Sequence, residues 1–347
     1  MPDTDSNDNF KSLSSVFWSE SAWLDTRIGR YQLKELLGKG SMGRVFLAED
    51  VILRRKIALK VISKSIREAH ETGYLEQFVR EAQAIAALSH PNIARIYDIV
   101  NEEGVMAIAT EYIPGGSFED YINQRGRSNS TEVCRIVAEL AQGLGHAHKN
   151  GMMHCDVKPA NIMLTQKKEC RIVDFGASWV KQKKKLAIMD GKIIGTPYTI
   201  APEMITGNEP SPWSDIYSLG IVLWWALAGH PPFYSKTRKE LYRKHLEDPP
   251  PDLAAFRTDV PRSLVSITHR CLEKKPEDRW PSCEKIARRL RDVIDDLSGH
   301  KKTSDTKSNV KTRPFFKEHY ALVAAMGLFL LVTILAGVTL VITLWIL

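Results

Sequence analysis

The order of short and long apolar runs along the chain most restricts its fold. From Ile28 to about residue 64, short β-branched runs are interrupted by glycine, a pattern typical of β-hairpins. Apolar residues at helical spacing over 75–88 predict a helix, and the proline of "HPN" at 90–92 ends it. Two more strand-like runs follow, "IARIYDIV" and "VMAIATEYI". The first third of the chain is therefore predicted to be rich in strands.

The remaining sequence has a different pattern. After "PGG" at 114–116 the apolar runs lengthen to helical size, most clearly over 131–148 and 214–229. Strands followed by helices predict an α+β fold with two lobes, and the change of pattern places the hinge near 111–116.

Both ends of the chain differ in composition from the middle. The N-terminal residues are rich in Asp and Ser, so we expect an acidic, disordered tail, although Phe17, Trp18 and Trp23 could dock on the folded domain. The predicted domains are a tail at 1–27, a folded domain at 28–297 with lobes at about 28–112 and 113–297, a basic linker at 298–319 and a membrane span at 320–347.

The membrane span is predicted from the final apolar run. No charged residue occurs from Tyr320 to Leu347, and about 20 apolar residues suffice to cross a bilayer. Six Lys or Arg residues lie between Lys301 and Lys317, so the positive-inside rule keeps that flank in the cytoplasm. A buried core helix is the alternative, but it would rarely be so long. The N-terminus lacks an apolar segment resembling a signal peptide. We therefore expect a cytoplasmic domain anchored by one C-terminal helix, with the bacterial inner membrane as the favoured location.

Charge and cysteine content exclude other classes of protein. The net charge of +7 arises largely from "KQKKK" at 181–185 and from the linker, and neither run carries the interleaved aromatic residues of a nucleic-acid surface. The five cysteines form no CxxC pair or zinc spacing. Neither nucleic-acid binding nor a zinc site is predicted.

Three features of the N-terminal lobe point to phosphate chemistry. "LGKGSMGRV" places Gly38, Gly40 and Gly43 between two strand-like runs, where backbone N–H groups can approach phosphate oxygens. Lys60 in "IALK" offers a cation for the same phosphates, and Glu81 in the predicted helix can pair with it. Each signal is weak alone, because Gly-rich hairpins and strand lysines are common.

The segment "HCDVKPAN" supplies the other groups that phosphoryl transfer needs. Asp156 can accept the proton of an attacking hydroxyl, and Lys158 can neutralise the moving phosphoryl group. Asn161 and the Asp174 of "DFG" offer hard oxygen ligands, which suit Mg²⁺, with Mn²⁺ as an alternative.

Taken in order, these motifs resemble the eukaryotic-type Ser/Thr protein kinases over roughly residues 28–295. "APE" at 201–203, Asp215 in "SDIYSLG" and Arg279 in "KPEDRW" complete the set. "REAQAIAALSHPNIARIYDI" and "AGHPPF" are most similar to the bacterial membrane-anchored branch. The resemblance implies the bilobal protein-kinase fold, transfer of phosphate from ATP with Mg²⁺, and protein substrates.

The resemblance also assigns residues. Asp156, Lys158, Lys60 and Glu81 would be catalytic, and Asn161 and Asp174 would bind the metal. His154, Phe175, Ile85, Ile96 and Asp215 would stack between the lobes, and Glu203 would pair with Arg279. The implied ATP-binding set is Leu37, Gly38, Lys39, Gly40, Ser41, Met42, Gly43, Val45, Ala58, Lys60, Glu111, Ile113 and Met163.

Two departures from the family pattern bear on control. Cys155 stands where many kinases have the Arg that pairs with a phosphate on the activation loop, and Ser178 is the only hydroxyl residue between Asp174 and Gly195. We therefore predict activity that does not depend on phosphorylation of this loop. The alternative is that control lies elsewhere.

The sequence also suggests which substrates are preferred and which other function is possible. Ser117, Ala160 and Trp225 stand where Arg-selecting kinases carry acids, and "KQKKK" is basic, so we predict substrates with acidic surroundings. The alternative function is a membrane-anchored pseudokinase or signalling scaffold. A homodimer is left open.

Overall fold

The computed structural model describes residues 23, 26–40, 43–62, 74–102, 105–126, 128–175 and 197–299, without the side chains of 74–78, 81 and 197. All of these residues lie in the first of two units, Met1–Lys301. The predicted membrane span and basic linker, except for residues 298 and 299, fall outside the described residues, as do Phe17 and Trp18. Among the residues that are described, no helix is long and apolar enough to cross a membrane.

The N-terminal lobe contains an antiparallel sheet of six strands, which are β1 (Arg27–Ile28), β2 (Tyr31–Gly40), β3 (Gly43–Asp50), β4 (Arg55–Ile62), β5 (Ile96–Glu102) and β6 (Val105–Glu111). Their order in the sheet is β1-β2-β3-β4-β6-β5. Hairpins connect β2 to β3 and β3 to β4, as the glycine-interrupted runs predict.

Strand β4 shows how the sheet positions a functional side chain. Ile57, Leu59 and Val61 are buried, whereas Ala58 and Lys60 are only half-buried. Successive side chains of a strand point to opposite faces, so the apolar set covers the core of the lobe while Lys60 lies on the other face.

The folded unit extends further toward the N-terminus than the predicted boundary at residue 28. Strand β1 begins at Arg27, and Trp23 is buried with its ring centroid 5.0 Å from that of Phe46. Thr26 connects Trp23 to strand β2: its N–H donates to the Trp23 carbonyl, and its carbonyl accepts from the N–H of Leu33. The expected docking of Trp23 on the folded domain is therefore confirmed: its ring buries a large apolar area in the core of the lobe.

Helix α1 (Tyr74–Ala86) contacts β5 and ends two residues before the predicted limit at Leu88. Beyond the hinge the lobe is helical, apart from the hairpin of β7 (Ile162–Leu164) and β8 (Cys170–Ile172). Its helices are α2 (Phe118–Arg125), α3 (Ser130–Lys149), α4 (Pro202–Ile205), α5 (Pro212–Ala228), α6 (Arg238–Glu247), α7 (Leu253–Phe256), α8 (Arg262–Cys271) and α9 (Cys283–Leu297), with 3₁₀ turns at Pro159–Asn161, Pro197–Thr199 and Pro276–Asp278. The predicted α+β fold with a strand-rich and a helix-rich lobe is confirmed.

Helix α5 is the centre of the C-terminal lobe. Fourteen of its 17 residues are buried, as expected of a helix that is apolar on all sides. Helices α3 and α8 contact it, and α9 contacts both α3 and α8. The positive φ of Gly229, 85°, ends α5 in a left-handed residue, which a glycine adopts without a Cβ penalty. A helix fixed on all sides is a suitable anchor for the loops that carry chemistry.

A buried histidine makes the stability of this lobe depend on pH. His245 is fully buried, its Nδ1 lies 2.9 Å from the Tyr217 hydroxyl, and among the described residues Nε2 has no hydrogen-bond partner. Burial, followed by the charge of Lys274, lowers the pKa of His245 to about 3 from 6.5. Between these two values the unfolded chain binds a proton that the folded chain does not. The free energy of unfolding must therefore fall as the pH falls through this window.

We expect the free energy of unfolding to decrease by about 1.4 kcal/mol per pH unit below pH 6.5 because of this one group. His245→Gln keeps a polar partner for Tyr217 but does not titrate. Urea unfolding of both proteins at a series of pH values measures the effect. The difference between them should change by about 2–3 kcal/mol between pH 6.5 and 4.5. Parallel curves would show that His245 accepts a proton without cost.

Candidate active site

One face of the N-terminal sheet is left partly open. Val45 lies opposite Lys60 in the β3–β4 register, and Thr110 lies opposite Ala58 in the β4–β6 register. All four residues are half-buried, as is Ile108, which pairs with Lys60. The sheet therefore presents a half-buried, largely apolar surface on which Lys60 lies between Val45 and Ile108.

The β2–β3 hairpin borders this surface and contains the three glycines. Gly43 has φ +152°, and a Cβ there would lie 1.9 Å from the Val61 carbonyl oxygen, so only glycine fits. A Cβ at Gly38 would meet nothing within 4 Å. Leu37 and Lys39 are exposed, whereas Ser41 and Met42 fall outside the described residues.

The hinge closes the opposite side of the surface. Strand β6 ends at Glu111, whose N–H donates to the Arg95 carbonyl at 2.9 Å, and Ile113 is buried. Beyond it, Ser117 forms a bridge with Met163 on β7. A Cβ on Gly115 would lie 2.2 Å from the Leu164 carbonyl oxygen, so the hinge packs directly on β7. Met163 therefore lies beneath the hinge.

Lys60 forms an ion pair with Asp174, across the two lobes. Burial alone would raise the pKa of Asp174, but the charge and hydrogen bond of Lys60 outweigh it and lower that pKa, which keeps the carboxylate ionised. The predicted partner of Lys60 is Glu81; this residue lies within α1, but its side chain is outside the described part. The Lys60–Glu81 pair remains a prediction.

The catalytic-loop residues form a connected group. Lys158 Nζ donates to Asp156 Oδ2 at 2.8 Å, and Asn161 Nδ2 donates to the same oxygen at 3.0 Å and to the Asp156 carbonyl at 2.9 Å. Both of these side-chain hydrogen bonds are accepted by the Oδ2 atom of Asp156. The Val173 N–H donates to the Asn161 carbonyl at 3.0 Å, which brings Asp174 alongside. Asp156, Lys158, Asn161 and Asp174 thus meet at one place.

Asp215, at the start of α5, holds the loop that carries Asp156. Its Oδ2 accepts from the N–H of His154 and its Oδ1 from the N–H of Cys155, both at 2.8 Å. His148 Nε2 lies 2.8 Å from Oδ2. Cys155 has φ +62°, a left-handed conformation that costs a non-glycine residue about 1–3 kcal/mol. The two backbone bonds to a buried carboxylate offset this cost.

His154 connects this loop to the "DFG" segment. Its ring lies 4.6 Å from that of Phe175, and its Nε2 lies 3.0 Å from the Val173 carbonyl oxygen. Ile85 and Phe175 belong to the same buried cluster, against which Ile96 packs. The residues expected to stack between the lobes therefore share one core.

His148 was not predicted from the sequence as a functional residue. It contacts Asp215, and Asp215 in turn holds the catalytic loop. The signal available was weak, because a histidine in the last turn of a helix is ordinarily explained by the helix dipole. Ser178, "KQKKK" at 181–185 and Gly195 lie outside the described residues.

Comparisons with known proteins agree with this geometry. A family model described as a protein kinase domain matches residues 31–289. The serine/threonine-protein kinase PrkC of Bacillus subtilis is 32% identical over 267 residues, which cover 77% of this chain and 41% of PrkC. PknB of Mycobacterium leprae is 32% identical over 261 residues, with coverage of 74% and 42%.

Solved structures give the same result. The crystal structure of the PknI kinase domain of Mycobacterium tuberculosis has a TM-score of 0.61 and 28% identity, and the match covers 78% of this chain and 98% of that domain. By contrast, the chain spans only about two fifths of the length of the curated relatives named above.

Proposed function

The chain belongs to the protein kinase family, and from this premise we propose that it transfers the γ-phosphoryl group of ATP to Ser or Thr hydroxyls of proteins, itself included. The observation that carries the proposal is the group formed by Asp156, Lys158, Asn161 and Asp174, with Lys60 paired to Asp174. A scaffold without transfer activity is disfavoured, since Lys60 pairs with Asp174 while Lys158 and Asn161 both contact Asp156.

Asp156 is proposed to accept the proton of the attacking hydroxyl. Lys158 and Asn161 both donate to its Oδ2, and these two hydrogen bonds fix the orientation of the carboxylate. A general base needs such a fixed position beside the hydroxyl. Lys158 then lies beside the group being transferred, where its charge offsets the negative charge that develops.

The oxygen donors at this place fit Mg²⁺. Asn161 uses its Nδ2 on Asp156, which leaves its Oδ1 as a neutral oxygen donor, and Asp174 supplies an ionised carboxylate. When bound, the metal would neutralise charge on the phosphates. Asn161 and Asp174 would hold it, and Mn²⁺ is the alternative.

The partly open face of the N-terminal sheet, next to the hinge, is proposed to bind the nucleotide. Val45 and Ala58 on the sheet and Met163 on β7 would enclose adenine, with backbone groups of Glu111 and Ile113 beside it. Lys60 and Glu81 would orient the phosphates. The glycine-rich β2–β3 hairpin would cover the phosphates with Leu37, Gly38, Lys39, Gly40, Ser41, Met42 and Gly43.

We expect transfer to begin without a lag, because Cys155 cannot pair with a phosphate on the activation loop. Full-length protein that has been treated with a phosphatase is mixed with ATP, Mg²⁺ and a generic acceptor. Initial rates and the phosphoamino acids formed are then measured. Phosphoserine and phosphothreonine should appear linearly from the start, and Ser178→Ala should give the same time course. A lag that prior incubation with ATP shortens would show a phosphate switch.

Anchoring to a membrane is proposed from the apolar run at 320–347 and the basic residues before it. The kinase domain would then face the cytoplasm, at the bacterial inner membrane. Fractionation of cells that express the full chain tests this: recovery in the soluble fraction would contradict it. An acidic context for the substrate remains a further proposal.

A further inference from the structure

Three aromatic rings form a surface on the C-terminal lobe that the proposed chemistry does not use. The ring of Tyr198 lies 6.3 Å from that of Trp225, edge to face, and 6.3 Å from that of Tyr234, stacked at 2°. Tyr198 and Trp225 are half-buried and pack against the core of the lobe, whereas Tyr234 is 61% exposed. We call these residues the aromatic shelf. Its inner part is fixed and its outer part is open.

The position of the shelf follows from helix α5. Asp215 at its beginning holds the backbone of His154 and Cys155, next to Asp156. One turn later, Ser218 Oγ donates to the Thr199 carbonyl at 2.6 Å, which fixes the segment that carries Tyr198.

The distance to the catalytic loop can be estimated along the same helix. Trp225 lies ten residues after Asp215, which is about 15 Å along the helix axis. An extended peptide covers about 3.3 Å per residue, so a peptide that runs parallel to α5 from the catalytic loop spans this length in about five residues.

The charges around the shelf decide what it can bind. Helix α6 packs against the Pro197–Thr199 turn, and Lys236, Arg238 and Lys239 are exposed at its start. Lys244 Nζ donates to the Tyr234 carbonyl at 2.9 Å. The acids of this helix are engaged elsewhere, since Glu240 and Glu247 both pair with Arg243. Ring faces also attract cations, but positive surroundings oppose Arg or Lys here.

We propose that the aromatic shelf binds one aromatic or large aliphatic side chain of the protein substrate, about five residues from the phosphorylated hydroxyl, with acidic residues beside it. This inference rests on the proposed kinase activity. Stacked Tyr and Trp rings offer a large apolar contact that loses little conformational freedom on binding. The shelf would thereby favour some Ser and Thr residues over others, although the catalytic loop itself does not distinguish their hydroxyl groups.

The test is a set of peptides with one Ser acceptor in an Ala- and Gly-rich background. Phe is placed in turn at about eight positions on each side, and the best peptide is remade with Arg, with Ala, and with an added Glu. KM and kcat are measured for the full-length protein and for Tyr234→Ala. Ile52→Ala is the matched control, because Ile52 is an apolar residue 67% exposed on the N-terminal lobe.

Phe about five residues from the acceptor should lower KM about tenfold relative to Ala, with kcat unchanged. Tyr234→Ala should lose this preference and Ile52→Ala should keep it. The proposal is overturned if the preference survives in Tyr234→Ala, if no position is preferred, or if Arg is better than Phe. Fluorescence anisotropy of the labelled peptide gives binding without turnover. If no phosphate is transferred at all, the kinase proposal fails, while loss of binding in Tyr234→Ala still supports the shelf and unchanged binding refutes it.

Discussion

Replacing Asp156 by Asn is expected to lower the rate of phosphoryl transfer by about 10²- to 10⁴-fold, the usual contribution of a positioned general base. Asn keeps the shape of Asp and one side-chain oxygen, which can still accept from Lys158 and Asn161 as Asp156 Oδ2 does. What the variant loses is a group that can take the proton of the attacking hydroxyl. The local structure should survive while the chemistry is slowed.

The measurement is the initial rate of phosphate transfer from ATP, combined with calorimetry of ATP binding and a thermal unfolding curve. ATP affinity and the unfolding midpoint should match those of the unchanged protein, since the hydrogen bonds that the described residues form with Asp156 lie within its own loop. Asp292→Asn is the control, because that carboxylate is 55% exposed on α9. Asp156→Asn activity within about tenfold of normal would mean that Asp156 is not the proton acceptor.

The fold was largely predictable because its patterns are local. In β4 the alternation of Ile57, Leu59 and Val61 with Ala58 and Lys60 is visible in the sequence, and it places Lys60 on the open face. In α5 the nearly continuous apolar run predicts a central buried helix. Boundaries were less certain: the strand-like run starting at Ile93 yields a strand only from Ile96.

The contacts within the site were less predictable because they join distant segments. Asp215 was identified by its motif, but nothing local indicates that its two oxygens hold the N–H groups of His154 and Cys155, 61 and 60 residues away. The same is true of Trp23, whose burial depends on Phe46 in another strand. The aromatic shelf also combines three separate segments, so a periodic pattern could not reveal it.

Loss of the Arg279 side chain is expected to destabilise the C-terminal lobe more than any surface change. Arg279 is buried, and its guanidinium donates to both oxygens of Glu203 and to the carbonyls of Glu273, Trp213 and Lys274, all within 2.9 Å. Burial alone would raise the pKa of Glu203, but the hydrogen bonds and charge of Arg279 lower it. Arg279→Leu leaves that buried carboxylate without its cation, which costs about 3–5 kcal/mol.

Urea unfolding of the full-length protein, followed by tryptophan fluorescence, measures this loss. The expected loss is a large part of the free energy of unfolding of a typical domain, which is about 5–15 kcal/mol. Much of the Arg279→Leu protein should therefore be unfolded at 37 °C. Arg289→Leu, which removes an exposed partner of Asp292, should change the free energy of unfolding by less than about 1 kcal/mol. Adding Glu203→Leu to Arg279→Leu should recover part of the stability, because the unpaired charge is gone while the three carbonyls still lack a donor. If the double variant is less stable than Arg279→Leu alone, the cost comes from the lost carbonyl bonds and packing, not from the stranded carboxylate.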